Sequence, residues 1–329
     1  MLRTRKARTA MRIDAKQAAA FLRENDDFLI LMHASPDGDT LGSGSALCIA
    51  LQKLGKRAKA VCPDEIPQRF DYLFKAIEPM DFEHKNVVCV DIADTKLLAE
   101  MKKVGETAEL AIDHHSSHVD FAKRNFVEEE SAANCELIYA VIKELGAAID
   151  KDIASCLYTG IATDTGCFKF SNVTPRTHSI AAEMIANGAD FGAINYAMFV
   201  VKTQGRIKLE QETLKNIRFF ADGKIAVLTA PLALIDSLPD IDTDDIGALA
   251  NLPREIAGVE IGVCVKEKKA GVFKASLRSS DNFDVAEIAQ RFGGGGHARA
   301  AGCSFGGITM EKAVENIVKA CVEAVEKRV

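Results

Sequence analysis

Four short acidic or histidine-bearing clusters in the first half of the chain each follow an apolar run: His33-Ala34-Ser35-Pro36-Asp37-Gly38-Asp39, Asp91, Asp113-His114-His115 and Asp164. The runs before the first three, Phe28 to Met32, Val87 to Val90 and Leu110 to Ile112, read as short buried strands whose carboxyl ends deliver the polar groups. In a parallel sheet those ends open onto one edge, where α/β proteins bind ligands. Four clusters converging there have the look of a metal site. An Asp-Gly turn with a capping Asp accounts for the first cluster alone, but no such reading covers all four in order.

The rest of the chain supports that topology. From Asp14 to about Ile194, apolar runs alternate with helical patterns at Asp14–Asn25, Leu41–Leu54, Thr95–Val104, Ala132–Leu145, Asp152–Ile161 and Thr177–Asn187. Such alternation implies βαβ units and a mostly parallel sheet. Lys202 to Phe219 reads as a polar, amphipathic connecting helix. Beyond it, strands at Lys224–Thr229, Val259–Lys266 and Gly271–Leu277 and helices at Asp284–Phe292 and Met310–Lys327 predict a smaller α/β domain. Asp242 to Asp245 reads as a solvated acidic turn. The expected organisation is α/β throughout: a metal-binding domain over 11–195, a linker over 196–220 and a substrate-binding domain over 221–329, with a cleft between the domains.

Composition narrows the class. With 48% hydrophobic and 27% charged residues among 329, the chain has an ordinary globular balance. No apolar stretch approaches the roughly 18 residues that span a bilayer, so no membrane partner is expected. The net charge of −6 disfavours tracking a long nucleic acid, where affinity comes largely from counterion release. It favours a small phosphorylated substrate or a very short oligonucleotide. Nine scattered cysteines without a CxxC pair suit a reducing, cytoplasmic setting. The basic residues before Met11 read as a disordered extension, and Met11 would serve as a start.

Each cluster has a local chemistry. Pro36 and Gly38 force a tight turn, letting Asp37 and Asp39 point to different sides of one loop, a spacing that suits two neighbouring metal ions. A carboxylate at Asp91, ending an uninterrupted apolar strand, is costly to bury unless paired or metal-bound. Adjacent histidines in a strand point opposite ways, so His114 and His115 leave it in a turn with distinct jobs. In the second domain, strand alternation puts Lys274, Ser276 and Arg278 on one face. Four glycines, Gly293 to Gly296, then precede His297 and Arg299 and can turn backbone N–H groups toward an anion.

These motifs resemble those of the DHH phosphoesterases over nearly the whole chain from Met11. The triplet Asp113-His114-His115, the His33 to Asp39 motif and the isolated Asp91 and Asp164 carry the likeness in the first half. Gly293-Gly294-Gly295-Gly296-His297-Ala298-Arg299-Ala300-Ala301-Gly302 resembles the glycine-rich signature of the DHH-associated C-terminal domain. The resemblance implies two divalent metal ions, with manganese suited by mixed imidazole and carboxylate ligation. One ion would be held by His33, Asp37 and Asp91, the other by Asp39, His114 and Asp164, with Asp91 bridging. His115 would face the substrate phosphate and Asp113 would orient a histidine. Gly294, Gly295, Gly296, Ser276, Arg278, His297 and Arg299 would hold the nucleotide end.

Standalone members of this layout imply hydrolysis of short RNA oligonucleotides and of the 3′-phosphate of 3′-phosphoadenosine 5′-phosphate (PAP). A cyclic di-AMP or pApA phosphodiesterase is the alternative reading. A RecJ-type exonuclease is disfavoured by the acidic balance and short chain, and a non-catalytic nucleotide-binding scaffold by the complete ligand set. The resemblance also makes a homodimer a candidate assembly. His118 stands where relatives tend to carry asparagine, and Ser131 to Glu136 departs from a Ser/Thr-rich version. Both departures bear on fine contacts rather than on the metal ligands.

Overall fold

Strands β1 (Met11–Arg12), β2 (Phe28–Leu31), β3 (Ala58–Val61), β4 (Asn86–Val90), β5 (Leu110–Asp113) and β6 (Arg124–Val127) form one sheet in the order β1-β6-β5-β4-β2-β3. Every pairing in it is parallel. The computed structural model describes residues 10–239, 241, 243–280 and 282–327, leaving the side chains at 243, 244 and 297 outside the description. The extension expected before Met11 lies outside the described residues apart from Ala10. Two compact units divide at Val201 and Lys202.

In the first unit the chain runs from β2 out to β3, then returns across β2 to β4 and onward to β5 and β6. Direction therefore reverses between β2 and β4, the crevice where open α/β sheets bind ligands. Alternation along the strands serves two cores. Phe28, Ile30, Val88, Val90, Leu110 and Ile112 face the larger one, and Leu29, Leu31, Val87, Cys89 and Ala111 face the other. On the larger face lie α1 (Ala15–Glu24), α2 (Gly38–Lys53), α3 (Asn134–Leu145), α4 (Lys151–Asp164) and α5 (Pro175–Ala186). Nearly all of α2 is buried, which its run of Gly, Ser and Ala permits.

The helix expected over Thr95–Val104 is interrupted. A 3₁₀ segment, Thr95–Met101, contains Ala99 at φ 45°, and a single helical turn follows at Lys102–Gly105. The Leu97 carbonyl accepts from the Ala34 N–H at 2.7 Å, tying this segment to the turn after β2.

The second unit carries a mixed sheet of β7 (Arg218–Phe220), β8 (Ile225–Ala230), β9 (Ile261–Lys269), β10 (Val272–Ser279), β11 (Gly295–His297) and β12 (Ala300–Gly306), ordered β11-β12-β10-β9-β8-β7. One face packs on α7 (Val285–Gln290) and α8 (Met310–Glu326) through Val263, Val265, Phe273, Ala275 and Leu277. The stretch read as a connector holds α6 (Gln204–Lys215) and then β7, and Leu209 of α6 is buried with Leu228 and Cys264 on the other face. Asp245 departs from the solvated turn expected there. It is buried and accepts from the Thr203 hydroxyl at 2.7 Å, while Asp242 lies outside the described residues. Among the described residues no helix is long and apolar enough to cross a membrane.

Candidate metal centre

Strand β2 delivers His33, β4 delivers Asp91 and β5 ends in Asp113, followed by His114 and His115. The order β5-β4-β2 makes these three ends neighbours. Helix α2 starts beside them. Its N-cap is Asp37, whose Oδ1 accepts from the Asp39 and Thr40 N–H groups at 3.1 Å each. Capping and ligand geometry coexist in this residue, because the same Oδ1 lies 3.7 Å from His33 Nε2. Asp164 arrives on the last turn of α4.

Side-chain atoms of His33, Asp37 and Asp91 lie within 4.8 Å of one another, as do those of Asp39, His114 and Asp164, and those of Asp91, His114 and His115. Either of the first two groups offers an imidazole and two carboxylates, a donor set able to hold a divalent ion. Asp91 stands at the centre. Its Oδ2 is 3.5 Å from His33 Nε2, while its Oδ1 is 3.6 Å from both His114 Nε2 and His115 Nδ1. That Oδ1 is buried without a hydrogen bond. The residue also holds φ 59°, a left-handed conformation uncommon for a side-chain-bearing residue. A buried carboxylate in a strained backbone, with one oxygen lacking a donor, is what a cation would satisfy.

Backbone contacts aim the histidines. His33 Nδ1 lies 2.9 Å from the Ala34 carbonyl and His114 Nδ1 lies 3.0 Å from that of Ser131. Each ring therefore donates through Nδ1 and turns Nε2 toward the carboxylates. Asp39 is gripped by the start of α3, accepting from the Asn134 N–H at 2.5 Å and the Cys135 N–H at 2.9 Å. That contact places negative charge at a helix N-terminus, where the dipole favours it.

The charges are strongly coupled. Burial and then the Asp91 carboxylate push Asp39 up to about 7. Burial and the Asp39 and Asp37 carboxylates likewise raise Asp164 well above the usual range. Burial would lower the His114 imidazole, yet the surrounding aspartates carry it up to about 9. His33 is raised in the same way, against burial, to about 11 by Asp37 and Asp91. Each of these shifts favours the protonated form of its group.

Asp113 is fully buried behind the cluster, with Oδ1 accepting from the His115 ring at 2.8 Å and from the His114 N–H at 2.9 Å. Asn134 has a part that its type and position did not reveal. With its amide oxygen toward the Asp91 N–H (3.2 Å) and its nitrogen toward the Ile112 carbonyl (3.1 Å), it ties the ends of β4 and β5 together.

The second unit brings together a different set. A cavity of about 440 Å³ is lined by Ser276, Arg278, Gly294 and Gly295 of the expected substrate residues, joined by Lys274 and Phe292. Among the described residues its lining holds two cations, Lys274 and Arg278, and no carboxylate. Gly296 and Arg299 are not in its wall. Gly296 pairs with Ala301 in the β11–β12 hairpin at φ 139°, and Arg299 donates to the Phe283 carbonyl at 2.6 Å. Gly294 also packs against backbone: a Cβ there would overlap the Gly302 carbonyl. The His297 side chain lies outside the described residues.

Comparison with known proteins fits this arrangement. Residues 27–161 match the DHH family, N-terminal domain, and residues 223–327 match the DHHA1 domain. A bifunctional oligoribonuclease and PAP phosphatase NrnA of Thermus thermophilus is 30% identical over 299 residues, covering 89% of each chain. The chain belongs to the DHH family. A Mycoplasma genitalium protein of the same name is 27% identical to this DHH protein, covering 94% of this chain and 97% of its own. An exopolyphosphatase-related protein from Bacteroides fragilis superposes with a TM-score of 0.85 at 26% identity, over 94% of this chain and 96% of the other. In the DHH domain the name-giving triplet is Asp113-His114-His115.

Proposed function

We propose that the cluster holds two divalent metal ions, with manganese the suited metal, and that this DHH protein hydrolyses phosphate esters. Its substrates are short RNA oligonucleotides and the 3′-phosphate of PAP. The observation that carries the metal reading is the Asp91 carboxylate, which turns one oxygen to His33 and the other to His114. His33, Asp37 and Asp91 would hold one ion, and Asp39, His114 and Asp164 the other, with Asp91 shared. When bound, the ions supply Lewis-acid activation of a water and neutralise phosphate charge. The substrate classes rest on the two NrnA relatives and their coverage of both domains. Nine free cysteines suit a reducing, cytosolic setting.

The chain's own residues divide the remaining work. Asp113 accepts from His115 Nδ1 and so fixes that ring. His115 then meets the substrate phosphate and stabilises charge as it develops. In the second unit, Arg278 and Lys274 supply cations for phosphate, Ser276 a hydroxyl, and Gly294 and Gly295 backbone beside it. Phe292 offers a ring for a base. Gly296 and Arg299 shape the hairpin that forms one wall.

Hydrolysis with manganese(II) of a 5′-labelled RNA pentamer, PAP, pApA and cyclic di-AMP, run side by side, tests the substrate assignment. Turnover of the pentamer and PAP with little of cyclic di-AMP is expected. Preference for pApA or cyclic di-AMP would move the enzyme into second-messenger turnover with the same metals. Arg278→Ala is expected to raise KM for PAP about 10- to 100-fold, the loss of a charge-assisted hydrogen bond of about 1.5–3 kcal/mol, with kcat little changed. A selective fall in kcat would contradict a binding role.

Metal binding should also displace protons. Ligands must be deprotonated, while Asp39, His114 and His33 are raised to about 7, 9 and 11. Manganese affinity is therefore expected to rise with pH from 6 to 9, with net proton release at neutral pH. Calorimetry in buffers of different ionisation enthalpy reads that release directly. A binding enthalpy independent of buffer would show that the cluster is already unprotonated.

A further inference from the structure

The His118 side chain is 1% exposed and belongs to neither proposed ligand set. Its Nδ1 stands 2.6 Å from Asp113 Oδ2, the carboxylate oxygen that His115 does not use. Its Nε2 faces Asn125 Oδ1 at 3.3 Å. Asn125 is fully buried on β6, and its amide orientation is set by Ala122, whose N–H it accepts (3.3 Å) and whose carbonyl it donates to (3.0 Å). The His118 N–H donates to the His115 carbonyl at 3.1 Å, closing a turn, and its ring lies 5.5 Å from that of Phe121. Asp120, paired with Arg12, is 3.8 Å from Nε2.

We infer that His118 is a positioning residue for turnover, acting through Asp113 on His115. This rests on the reading above, in which His115 meets the phosphate. The terminal torsion of an aspartate is broad, so a carboxylate held at one oxygen rotates readily. Held at both, by His115 and by His118, it cannot. His118 is in turn braced against Asn125 on the neighbouring strand. The series Asn125, His118, Asp113, His115 thus links the rigid sheet to the reacting edge of the cluster. Removing His118 would leave Asp113 Oδ2 buried without a donor, and rotation of Asp113 toward another partner would release the His115 ring.

His118→Ala, His118→Phe and His118→Asn test this, with Asp113→Ala and the Asp113→Ala/His118→Ala double variant. In His118→Ala and His118→Phe, kcat on the RNA pentamer is expected to fall about 10- to 100-fold, as for other partners that orient functional histidines. KM and manganese affinity by calorimetry should stay within about twofold. His118→Asn, which keeps an N–H donor, should recover most of the rate. The double variant should lose no more than Asp113→Ala alone, since both act through one group. Full activity in His118→Ala, a matching loss of manganese affinity, or additive losses would overturn the inference. A second readout needs no turnover. In the metal-free protein, the hydrogen-bonded His115 Nδ1–H should give a downfield proton resonance that is lost or broadened in His118→Phe. An unchanged His115 resonance would overturn the positioning role even if the parent hydrolysed none of the substrates, an outcome that would by itself overturn only the hydrolase reading.

Discussion

Replacing Asp91 by asparagine should abolish turnover, lowering kcat by about 10³-fold or more, because one change removes a ligand shared by both proposed ions. The metal-free protein isolates the electrostatic part of the change. Asp91 is 2% exposed at φ 59°, and its carboxylate stands 3.5 Å from His33 Nε2 and 3.6 Å from His114 Nε2, both of which it helps to raise. Asparagine removes the charge, keeps the shape and tolerates the left-handed region better than most residues. Metal-free Asp91→Asn should therefore melt below the parent at neutral pH, because the two imidazoles lose a buried counter-charge. Saturating manganese should raise the parent's melting temperature, since a ligand that binds only the native state stabilises by RT ln(1 + [L]/Kd), about 2.7 kcal/mol at 100 Kd. The variant should lose that increment. Thermal melts with and without manganese read both effects. A variant that still gains full stabilisation from manganese, or keeps activity, would show that Asp91 is not shared.

The convergence of these side chains was legible because the strands that carry them are short and apolar. The apolar runs Phe28–Met32, Val87–Val90 and Leu110–Ile112 each end where a polar residue follows, and the strands lie on these runs to within a residue at either end. Strands at or next to the sheet edges were not legible. Ala58–Val61 and Arg124–Val127 mix charged or small residues with few β-branched ones, and Ala300–Gly306 is rich in alanine and glycine. Their conformation comes from the strands beside them rather than from propensity. The glycine run illustrates the same limit. Gly295 leaves open space, but Gly294 and Gly296 sit where the hairpin backbone leaves no room for a Cβ. Part of what reads as an anion loop is therefore a packing requirement. Lys274 was placed on the right face by alternation, yet only the cavity groups it with Phe292. Asn134 stayed hidden because an amide at a helix start reads as a cap, whereas this one bridges two strand ends.

Gly42→Ala is expected to reverse the usual sign of a glycine-to-alanine change in a helix. In an open helix interior alanine gains about 1 kcal/mol. Here α2 crosses α4 so closely that a Cβ at Gly42 would overlap the Cys156 carbonyl, a backbone atom that cannot rotate aside, and would stand 3.2 Å from the Gly160 nitrogen. Gly160 faces back across the same crossing, where a Cβ would stand 2.7 Å from Asp39 Oδ1 and 3.1 Å from Asp39 Cα. Overpacking of this kind costs about 3 kcal/mol. A net loss of about 2 kcal/mol follows, or about 4–8 °C in melting temperature for a unit of this size. Gly44→Ala, two residues along the same helix, meets only the flexible Met32 side chain and should cost far less. The crossing also carries function. Asp39 rides on α2 and Asp164 on α4, so spreading the helices separates two ligands of the proposed second ion. Gly42→Ala should accordingly weaken manganese binding while Gly44→Ala leaves it near normal. Melts and calorimetry on the pair decide the matter, and equal stability of the two variants would show that the α2–α4 contact is not what positions Asp39 against Asp164.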